Sequence, residues 1–396
     1  MKKYDIAIIG GGPSGIASAI AIPDDLNVVL LEKNPSLGKK LLLTGGGRCN
    51  ITNNKPLKEL LNSFYQKNFL KHSFYTFSND DLFSYFDIDF IEEDDNRIFP
   101  KSGKSHDVLD NLKKHLKNID VKLNYEVKEI KDNFIINNEI KVSKLIIATG
   151  GVTYPQTGCG PQNYFLTTQP LTKIKYGLVP LITSEHLSEI AGITLYNVVS
   201  TYNKVKIKGN VLISHVGLTG PGIINLSSEI SRNLDYDILK DDKDLKFTIS
   251  IDLCPEYSLE DLKNKFTNDF QLKGKTQINN YLKQLLTNNF IEFFLNKVKI
   301  PKNMQLSKIN KKSKNRLIES LKHFNFKIAG FNKDLSKVTI GGIDLKYVNS
   351  KTMESKITPN LYFAGEVLDV DGPTGGYNLK IAFSTGFLAG LSASEK

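Results

Sequence analysis

The chain has 396 residues, of which 40% are hydrophobic and 24% charged, and its formal net charge is +10. This length predicts two or three domains. No apolar run reaches the roughly 18 to 20 residues of a membrane span, and a strand that begins by residue 5 is expected to leave no room for a signal peptide. Three cysteines without C-x-x-C spacing argue against a disulfide framework or a cysteine zinc site, so a cytoplasmic enzyme is the expected class.

Residues 5–34 carry the most informative pattern: a short apolar run, the letters GGGPSG, a small-residue helix, a second apolar run and an acid. This is the order of a Rossmann unit. Gly10 permits the tight turn, Gly12 lets the backbone approach a pyrophosphate, and Gly15 lets the helix pack closely on the strand. Glu32 follows the second strand, where it can accept from both hydroxyls of an adenosine ribose, and its charge disfavours a phosphorylated ribose. The segment predicts dinucleotide binding.

The segment LLLTGGGRCNITN (41–53) is too glycine-dense for a helix or strand. It predicts a loop whose amides and Arg48 guanidinium approach a pyrophosphate or the edge of a flavin, with Asn50 adding an amide donor. A flexible connector is the alternative. Cys49 is interpreted as a packed thiol near flavin in preference to a nucleophile.

Further along the chain, the pattern predicts a helix over 107–116, strands over 121–130, 134–136 and 145–148, and a glycine turn at Thr149-Gly150-Gly151. Short strands then predominate from about 177 to 254, at 198–207, 210–213 and 247–252. Residues 258–324 show helical spacing, and after 336 the α/β character returns. A strand at 361–364 ends at Gly365-Glu366, and a glycine-rich loop at 371–376 leads into a helix over 379–391.

This order predicts an α/β protein with one discontinuous nucleotide domain (1–177 and 336–396), a β-rich substrate domain (178–254) and a small helical domain (255–335). The chain has a single complete dinucleotide fingerprint. A soluble NAD dehydrogenase would need only one Rossmann half-pair and a separate catalytic domain. A C-terminal strand, acid, glycine loop and helix that return to the first domain suit FAD, because this larger cofactor needs a second helix N-terminus near its ribityl chain and isoalloxazine ring.

Several long motifs resemble one bacterial flavoprotein family: LLLTGGGRCNITN, EEDDNRIFPKSGKSHDVLDNL, LIIATGG, LISHVGLTGPGIINLS and TMESKITPNLYFAGEVLDVDGPTGGYN. The family, of the BaiN/RdsA type, has members assigned as ribosomal RNA dihydrouridine synthases, bile-acid enone reductases and aminoacetone oxidases. The resemblance implies a glutathione-reductase-like FAD fold with an inserted β-domain and a helical domain. Two features depart from the family pattern: Pro23 shortens the first helix, and Cys159–Asn163 replace a loop that usually contains glycine and aspartate.

By fingerprint, glycine loops, strand ends and resemblance, the residues expected to bind FAD are Gly10, Gly12, Pro13, Ser14, Gly15, Glu32, Lys33, Lys40, Thr44, Gly45, Arg48, Cys49, Asn50, Val127, Ala148, Thr149, Gly150, Gly365, Glu366, Gly375, Gly376, Tyr377 and Asn378. The amides of Gly375–Asn378 are expected at the pyrimidine end of the flavin, where a helix dipole stabilises the negative charge of the reduced ring. A helix cap by Asn378 is a compatible alternative.

Three residues are candidates for the proton donor, and the sequence does not choose among them. His215 lies in a glycine-rich loop that belongs to a family motif, and it could donate a proton or hold a carbonyl. Cys254 ends a predicted strand, and a thiol near its ordinary pKa stays protonated at neutral pH. Cys49 is the third candidate, and each of the three has a purely structural alternative. Six scattered histidines without HxH or HExxH spacing predict no metal site.

The reductase substrates of the resembled family share a carbon–carbon double bond conjugated to a carbonyl, as uracil and steroid enones do. Lys204, Lys206 and Lys208 alternate along a predicted strand, and a second basic run spans 308–316; such residues could contact RNA phosphates, or they could form a solvated face. The preferred interpretation is reduction of uridine in large-subunit ribosomal RNA. The alternatives are a small-molecule enone reductase or amine oxidase, and a non-catalytic flavin-bearing RNA-binding factor. NADH or NADPH is the expected transient electron donor, and the oligomeric state is left open.

Overall fold

The computed structural model describes residues 1–241 and 245–395, which divide into two compact units. Unit 1 contains the described residues of Met1–Tyr176, Tyr236–Asp242 and Lys337–Lys396, and unit 2 contains those of Gly177–Asp235 and Lys243–Ser336. None of the helices in the described part of the chain has the length and apolarity that crossing a membrane requires.

The strands are, in chain order, β1 (Lys2–Ile9), β2 (Val28–Leu31), β3 (Thr52–Asn53), β4 (Phe90–Glu93), β5 (Arg97–Pro100), β6 (Asp120–Lys122), β7 (Ile130–Lys131), β8 (Ile135–Ile136), β9 (Ile140–Ile147), β10 (Lys175–Gly177), β11 (Leu181–Thr183), β12 (Thr194–Tyr202), β13 (Val205–Ile213), β14 (Gly217–Thr219), β15 (Phe247–Asp252), β16 (Phe324–Phe331), β17 (Val338–Ile340) and β18 (Leu361–Phe363). The helices are α1 (Pro13–Ala21), α2 (Lys39–Leu43), α3 (Leu57–Asn62), α4 (Lys67–Thr76), α5 (Asn79–Ser84), α6 (Ser105–Lys114), α7 (Pro221–Asn233), α8 (Leu259–Leu272), α9 (Ile278–Leu282), α10 (Asn288–Lys297), α11 (Lys311–Lys322) and α12 (Tyr377–Ser394).

The main sheet of unit 1 has the order β6-β2-β1-β9-β8-β7, and β18 also pairs with β9. The strands β1, β2, β9 and β18 are parallel, and Ile147 is in register with both Ile9 and Phe363. The residues after β1, β9 and β18 therefore meet at one edge of the sheet. This doubly wound arrangement confirms the predicted α/β Rossmann fold class.

Helices α1 and α12 lie against each other through small residues. The Ser18 hydroxyl donates to the Gly386 carbonyl at 2.9 Å, and a Cβ on Gly386 would lie 2.3 Å from the Ser14 carbonyl oxygen. A Cβ on Gly390 would similarly lie 2.1 Å from the Ser18 carbonyl oxygen. Because these glycines allow the two backbones to approach, the C-terminal helix is held beside the first helix of the chain.

Unit 2 contains a closed barrel with the strand order β11-β14-β13-β12-β15-β16, together with helices α7 to α11. The barrel closes through β16, although its residues lie within the range 255–335 that the sequence pattern placed in a helical domain. The single strand predicted over 198–207 is wrong: β12 and β13 form a hairpin there, because Asn203 turns the chain with φ of +51°. The strand predicted over 121–130 is also wrong, since β6 ends at Lys122 and β7 begins only at Ile130.

Candidate functional site

The turn between β1 and α1 contains three glycines whose missing side chains serve different purposes. Gly10 has φ of +107°, and a Cβ there would lie 2.4 Å from the carbonyl oxygen of Ala148. A Cβ on Gly15 would lie 1.9 Å from the carbonyl oxygen of Gly10, so the helix can approach the strand only with glycine at this position. At Gly12, in contrast, no atom of the described residues lies within 4 Å of an added Cβ. The second glycine therefore leaves an open face.

Helix α1 begins at Pro13 beside this open face, and no side chain caps its N-terminus. Ser14 is buried, and its hydroxyl oxygen would lie 2.6 Å from a Cβ on Gly365, which follows β18. The first N–H groups of the helix are thus not used by a capping side chain. Uncapped N–H groups at the positive end of a helix dipole are the arrangement that binds phosphate.

Glu32, at the end of β2, joins that strand to the glycine turn. One carboxylate oxygen accepts the Gly11 N–H at 2.7 Å, and the other accepts the backbone and side-chain N–H groups of Asn34 at 2.8 and 2.6 Å. These bonds fix the acid beside the turn, where a ribose would lie. Val127, predicted in the same set, lies in the loop between β6 and β7.

The carboxyl end of β9 lies next to the segment that departs from the resembled family. The Asn163 side chain donates to the Thr149 carbonyl at 3.2 Å, and a Cβ on Gly158 would lie 2.7 Å from Cε of Lys33. Gly150 turns the chain with φ of +74°. The Thr149 hydroxyl is buried and has no hydrogen-bond partner among the residues that the structure describes. This orphaned hydroxyl is available to a ligand at the edge of the sheet.

Lys40, in α2, and Glu366, which follows β18, form an ion pair within unit 1. The Lys40 ammonium donates to Oε2 of Glu366 at 2.5 Å and to the Thr153 hydroxyl at 3.0 Å, and Oε1 of Glu366 accepts the Thr339 N–H at 2.7 Å. Burial alone would lower the pKa of Lys40, but the Glu366 carboxylate raises that pKa above its ordinary value. The pair brings α2, the segment after β9, β17 and the end of β18 together, and its two charges neutralise each other.

The glycine loop after α2 is a tight turn with an arginine beside it. Gly45 has φ of +57°, and the Thr44 hydroxyl donates to the Leu41 carbonyl at 2.6 Å. The Arg48 guanidinium is ion-paired with Glu93 and lies 4.2 Å from the ring centroid of Phe99. Arg48 therefore has protein partners on two sides, and it presents a fixed guanidinium at the loop.

This loop meets the C-terminal glycine loop. With its amide oriented to satisfy its neighbours, Asn50 accepts the Gly376 N–H at 3.0 Å and donates to the Thr52 carbonyl at 3.0 Å. The Asn53 side chain donates to the Gly375 carbonyl at 3.1 Å. The structure therefore joins two glycine loops that are more than 300 residues apart in the chain, and the sequence analysis expected both of them to contact FAD.

Helix α12 begins at this meeting point, and its N-cap is Gly376, without a side-chain cap. The alternative of a cap by Asn378 is wrong. The Asn378 side chain accepts the Gly372 N–H and donates to the Gly372 carbonyl, both at 2.9 Å, so it holds the loop closed. The ring of Tyr377 packs on Phe64 with centroids 5.7 Å apart. The first N–H groups of α12 therefore also lack a capping side chain.

These features can be tested against the expected FAD. The open face at Gly12 and the uncapped start of α1 fit a pyrophosphate, Glu32 fits a ribose, and the uncapped start of α12 fits the negative end of a reduced ring. The orphaned Thr149 hydroxyl supplies one further polar contact. The residues present fit the cofactor.

The three candidate proton donors lie on different elements, one of them in unit 1 and two in unit 2. Cys49 is in unit 1, fully buried, and burial raises the pKa of its thiol to about 12. Cys254 is in unit 2, follows β15, and is also fully buried; burial, then Glu256 and Asp252, raise its pKa to about 12. His215 is exposed in the turn between β13 and β14.

Some partners of the site carry no sequence signal. Glu93 lies 45 residues from its partner Arg48 in the chain, and Thr339 contributes its backbone N–H to Glu366. Lys380 is a helical lysine, which the sequence alone would place at the surface, although it is 1% exposed. Each depends on tertiary contacts between distant segments.

The positive charge of the chain is divided unequally between the units. The residues of unit 2 include 22 Lys and Arg against 13 Asp and Glu, a net charge of +9 out of +10 for the chain. Lys204, Lys206 and Lys208 are exposed at and along β13, and Lys311 and Lys312 are exposed at the start of α11. The excess charge is therefore a property of unit 2 and not of the composition in general.

Comparison with known proteins adds the following. Residues 4–392 match the model of the family described as the HI0933-like protein Rossmann domain. The chain is 30% identical to a ribosomal RNA dihydrouridine synthase of Escherichia coli strain K12, covering 97% of this chain and 96% of that protein. It is 27% identical to a protein of the same name from Haemophilus influenzae, with full coverage of both. It is also 28% identical to a 3-dehydro-bile acid delta(4,6)-reductase of Clostridium scindens, with 99% of each covered.

Proposed function

The chain belongs to the HI0933-like Rossmann family and is an FAD-dependent oxidoreductase, and from this premise we propose that it reduces uridine to dihydrouridine in large-subunit ribosomal RNA. Relatives that carry the name ribosomal RNA dihydrouridine synthase are similar to the chain over almost its whole length. The similarity therefore includes all domains of this chain, with none missing from these relatives.

The observation that carries the RNA proposal is the net charge of +9 in unit 2. The positive potential of unit 2 does not raise the affinity for a small neutral enone. It does attract the phosphates of an RNA backbone, independently of the RNA sequence. Exposed lysines on β13 and α11 place that charge at the surface. The field supports a polyanionic substrate.

FAD, when bound and reduced, would supply a hydride for the β-carbon of the enone, which is C6 in uracil. The proton for C5 must come from an acid, and the product then has two more hydrogens than uridine. The uncapped start of α12 would stabilise negative charge at the flavin end that it faces. We infer NADH or NADPH as the donor that restores the reduced state, and a transient one, since the sequence has a single complete dinucleotide fingerprint.

Mass spectrometry of ribosomal RNA tests the function directly. In cells that lack the gene, we expect one uridine of large-subunit ribosomal RNA to lose the two-dalton increment of dihydrouridine. A plasmid copy of the wild-type chain restores the increment, and a Gly12→Ala copy restores it less, because that variant binds FAD more weakly. Identical RNA masses with and without the gene contradict the proposal.

Of the candidate proton donors, we propose His215, because it is exposed whereas Cys49 and Cys254 are buried thiols of raised pKa. His215→Gln is expected to lower kcat by about 100-fold, the usual effect of losing a general acid, and to alter the pH–rate profile. Cys254→Ala is expected to keep kcat within about twofold. A Cys254→Ala variant with the larger loss would reverse the assignment.

The resemblance to the bile-acid reductase favours one alternative, a small-molecule enone reductase. The discriminating assay compares 2-cyclohexenone with a uridine-containing RNA oligomer as oxidant of the reduced protein. Efficient turnover of the enone, together with none of the RNA, would support the alternative.

A further inference from the structure

Helix α4 has an exposed face that combines lysines with aromatic rings. Lys67, Lys71 and Tyr75 follow one another at intervals of four residues, and His72 lies beside them; all four are exposed. Tyr75 is 60% exposed, and Tyr65, in the turn just before the helix, is 65% exposed. We refer to these five residues as the α4 face.

The side of α4 opposite the α4 face packs into the core of unit 1 and is sufficient to stabilise the helix. Leu70 and Phe74 are fully buried, and Phe74 packs edge-on against Phe64 with centroids 5.4 Å apart. The apolar stripe of the helix is therefore complete without Tyr75. An exposed tyrosine ring gains little from folding, so Tyr75, on a helix already anchored elsewhere, indicates a surface used for binding.

The charge of the α4 face has one sign. The segment from Tyr65 to Thr76 contains no aspartate or glutamate. The Lys67 ammonium donates to Oδ1 of the Asn62 amide at 3.2 Å, and neither Lys67 nor Lys71 has an ion-pair partner among the described residues. Cations interleaved with flat rings are the chemistry that binds unpaired nucleic acid, in which phosphates and base faces are both accessible.

The position of the α4 face relates it to the candidate FAD site within unit 1. Phe64, which precedes Tyr65, packs on Tyr377, and its ring would lie 2.6 Å from a Cβ on Gly372. Lys55 lies 5.9 Å from the ring centroid of Tyr377. Tyr65, the first residue of the α4 face, therefore directly follows a residue that packs on the C-terminal glycine loop.

We propose that the α4 face binds the unpaired RNA strand that flanks the target uridine, with Tyr65 and Tyr75 stacking on bases and Lys67 and Lys71 contacting phosphates. This inference rests on the proposed function. A target base must leave its stack to reach a flavin, and the neighbouring nucleotides then lose their stacking partners. Exposed rings beside the glycine loop replace those partners.

The experiment measures binding of a fluorescent, uridine-containing single-stranded RNA to the FAD-loaded protein by anisotropy at several salt concentrations. Lys67→Ala/Lys71→Ala is expected to reduce the slope of log K against log salt by about 1.4, or about 0.7 for each lost phosphate contact. Tyr75→Ala is expected to weaken binding by about fivefold or more at an unchanged slope, whereas Tyr75→Phe keeps the wild-type affinity, since stacking needs the ring alone.

The matched control is Lys3→Ala/Lys141→Ala. These two exposed lysines are paired in register near the amino ends of β1 and β9, at the sheet edge opposite the glycine loops. The control is expected to keep the wild-type slope. FAD content and thermal midpoint are measured for every variant, and only variants that match the wild type in both are compared. If the wild type binds RNA and the α4 variants bind it equally well, or if the control loses as much as they do, the α4 inference is wrong. Absence of RNA binding by the wild type would instead overturn the proposed function with it.

Discussion

Replacing Gly12 with alanine is expected to leave the stability of the FAD-free protein within about 0.5 kcal/mol of wild type while weakening FAD binding by about 10- to 150-fold. An added Cβ meets no atom of the described residues within 4 Å, and the backbone there, with φ of −80°, suits any residue. The same Cβ occupies the open face at the start of α1, where phosphate would accept N–H groups. One charge-assisted hydrogen bond contributes about 1.5–3 kcal/mol, so the loss of one such bond corresponds to that weakening.

The matched variant is Gly15→Ala, three residues away in the same turn. Its Cβ would lie 1.9 Å from the Gly10 carbonyl oxygen, so α1 must move off β1, at a cost of about 3 kcal/mol or more in stability. Urea denaturation of the FAD-free proteins and titration with FAD separate the two variants. Equal FAD affinity in Gly12→Ala and wild type would show that no phosphate lies at this face.

The parts of the fold that the sequence predicted are those in which local pattern and tertiary contact agree. The unit β1–α1–β2 was predicted because buried parallel strands form continuous apolar runs and because the turn between them needs glycine. The helices α8 to α11 show apolar residues at helical spacing, and all have polar N-cap residues: Ser258, Gln277, Thr287 and Asn310. The return of the chain to the first sheet through β18 and α12 was visible as a strand, an acid and a glycine loop.

The remainder depends on contacts that no local pattern encodes. The hairpin at Asn203 was missed because its two strands are both rich in β-formers, and a single asparagine in the left-handed region interrupts them. The strand β16 was assigned to a helical domain because it follows α11 after only one residue. Its role in closing the barrel comes from pairing with β11, about 145 residues earlier in the chain.

The candidate site shows the same division. The glycines and Glu32 were identifiable because their roles are set by the backbone and by spacing. Arg48 was predicted to approach the cofactor, but its ion pair with Glu93 arises because β4 and β5 pair as a hairpin beside the loop. Lys40 and Glu366 were predicted separately as cofactor residues, and the structure joins them in a neutral pair. Charges that neutralise each other within the protein leave the helix N-termini as the main source of positive potential for a phosphate.

The second large expected effect concerns Lys380, because of which the free energy of unfolding is expected to increase with pH. Lys380 is 1% exposed, and its ammonium group donates to the Phe77 carbonyl at 2.7 Å. The same group lies 5.6 Å from the ring centroid of Phe74 and 5.7 Å from that of Phe77. Burial lowers the pKa of Lys380 to about 7, and Asp81 and Asp80 only partly oppose that shift. Between that pKa and its ordinary value near 10.4, the unfolded chain holds the proton that the folded chain releases, so the free energy of unfolding increases with pH.

The expected slope is at most about 1.4 kcal/mol per pH unit from pH 7 upward, and the penalty of burying the charge is fully present below pH 7. Lys380→Met is expected to remove this slope and to raise stability at pH 7, because methionine fills the same apolar space. Phe77 keeps a partner in that variant, since the Ser384 hydroxyl donates to the same carbonyl at 3.2 Å. Urea denaturation of the FAD-loaded proteins at pH 7, 8 and 9 measures the difference, and Lys346→Met, at an exposed lysine, is the control. Parallel stability curves for wild type and Lys380→Met would mean that the buried amine keeps its proton throughout this range.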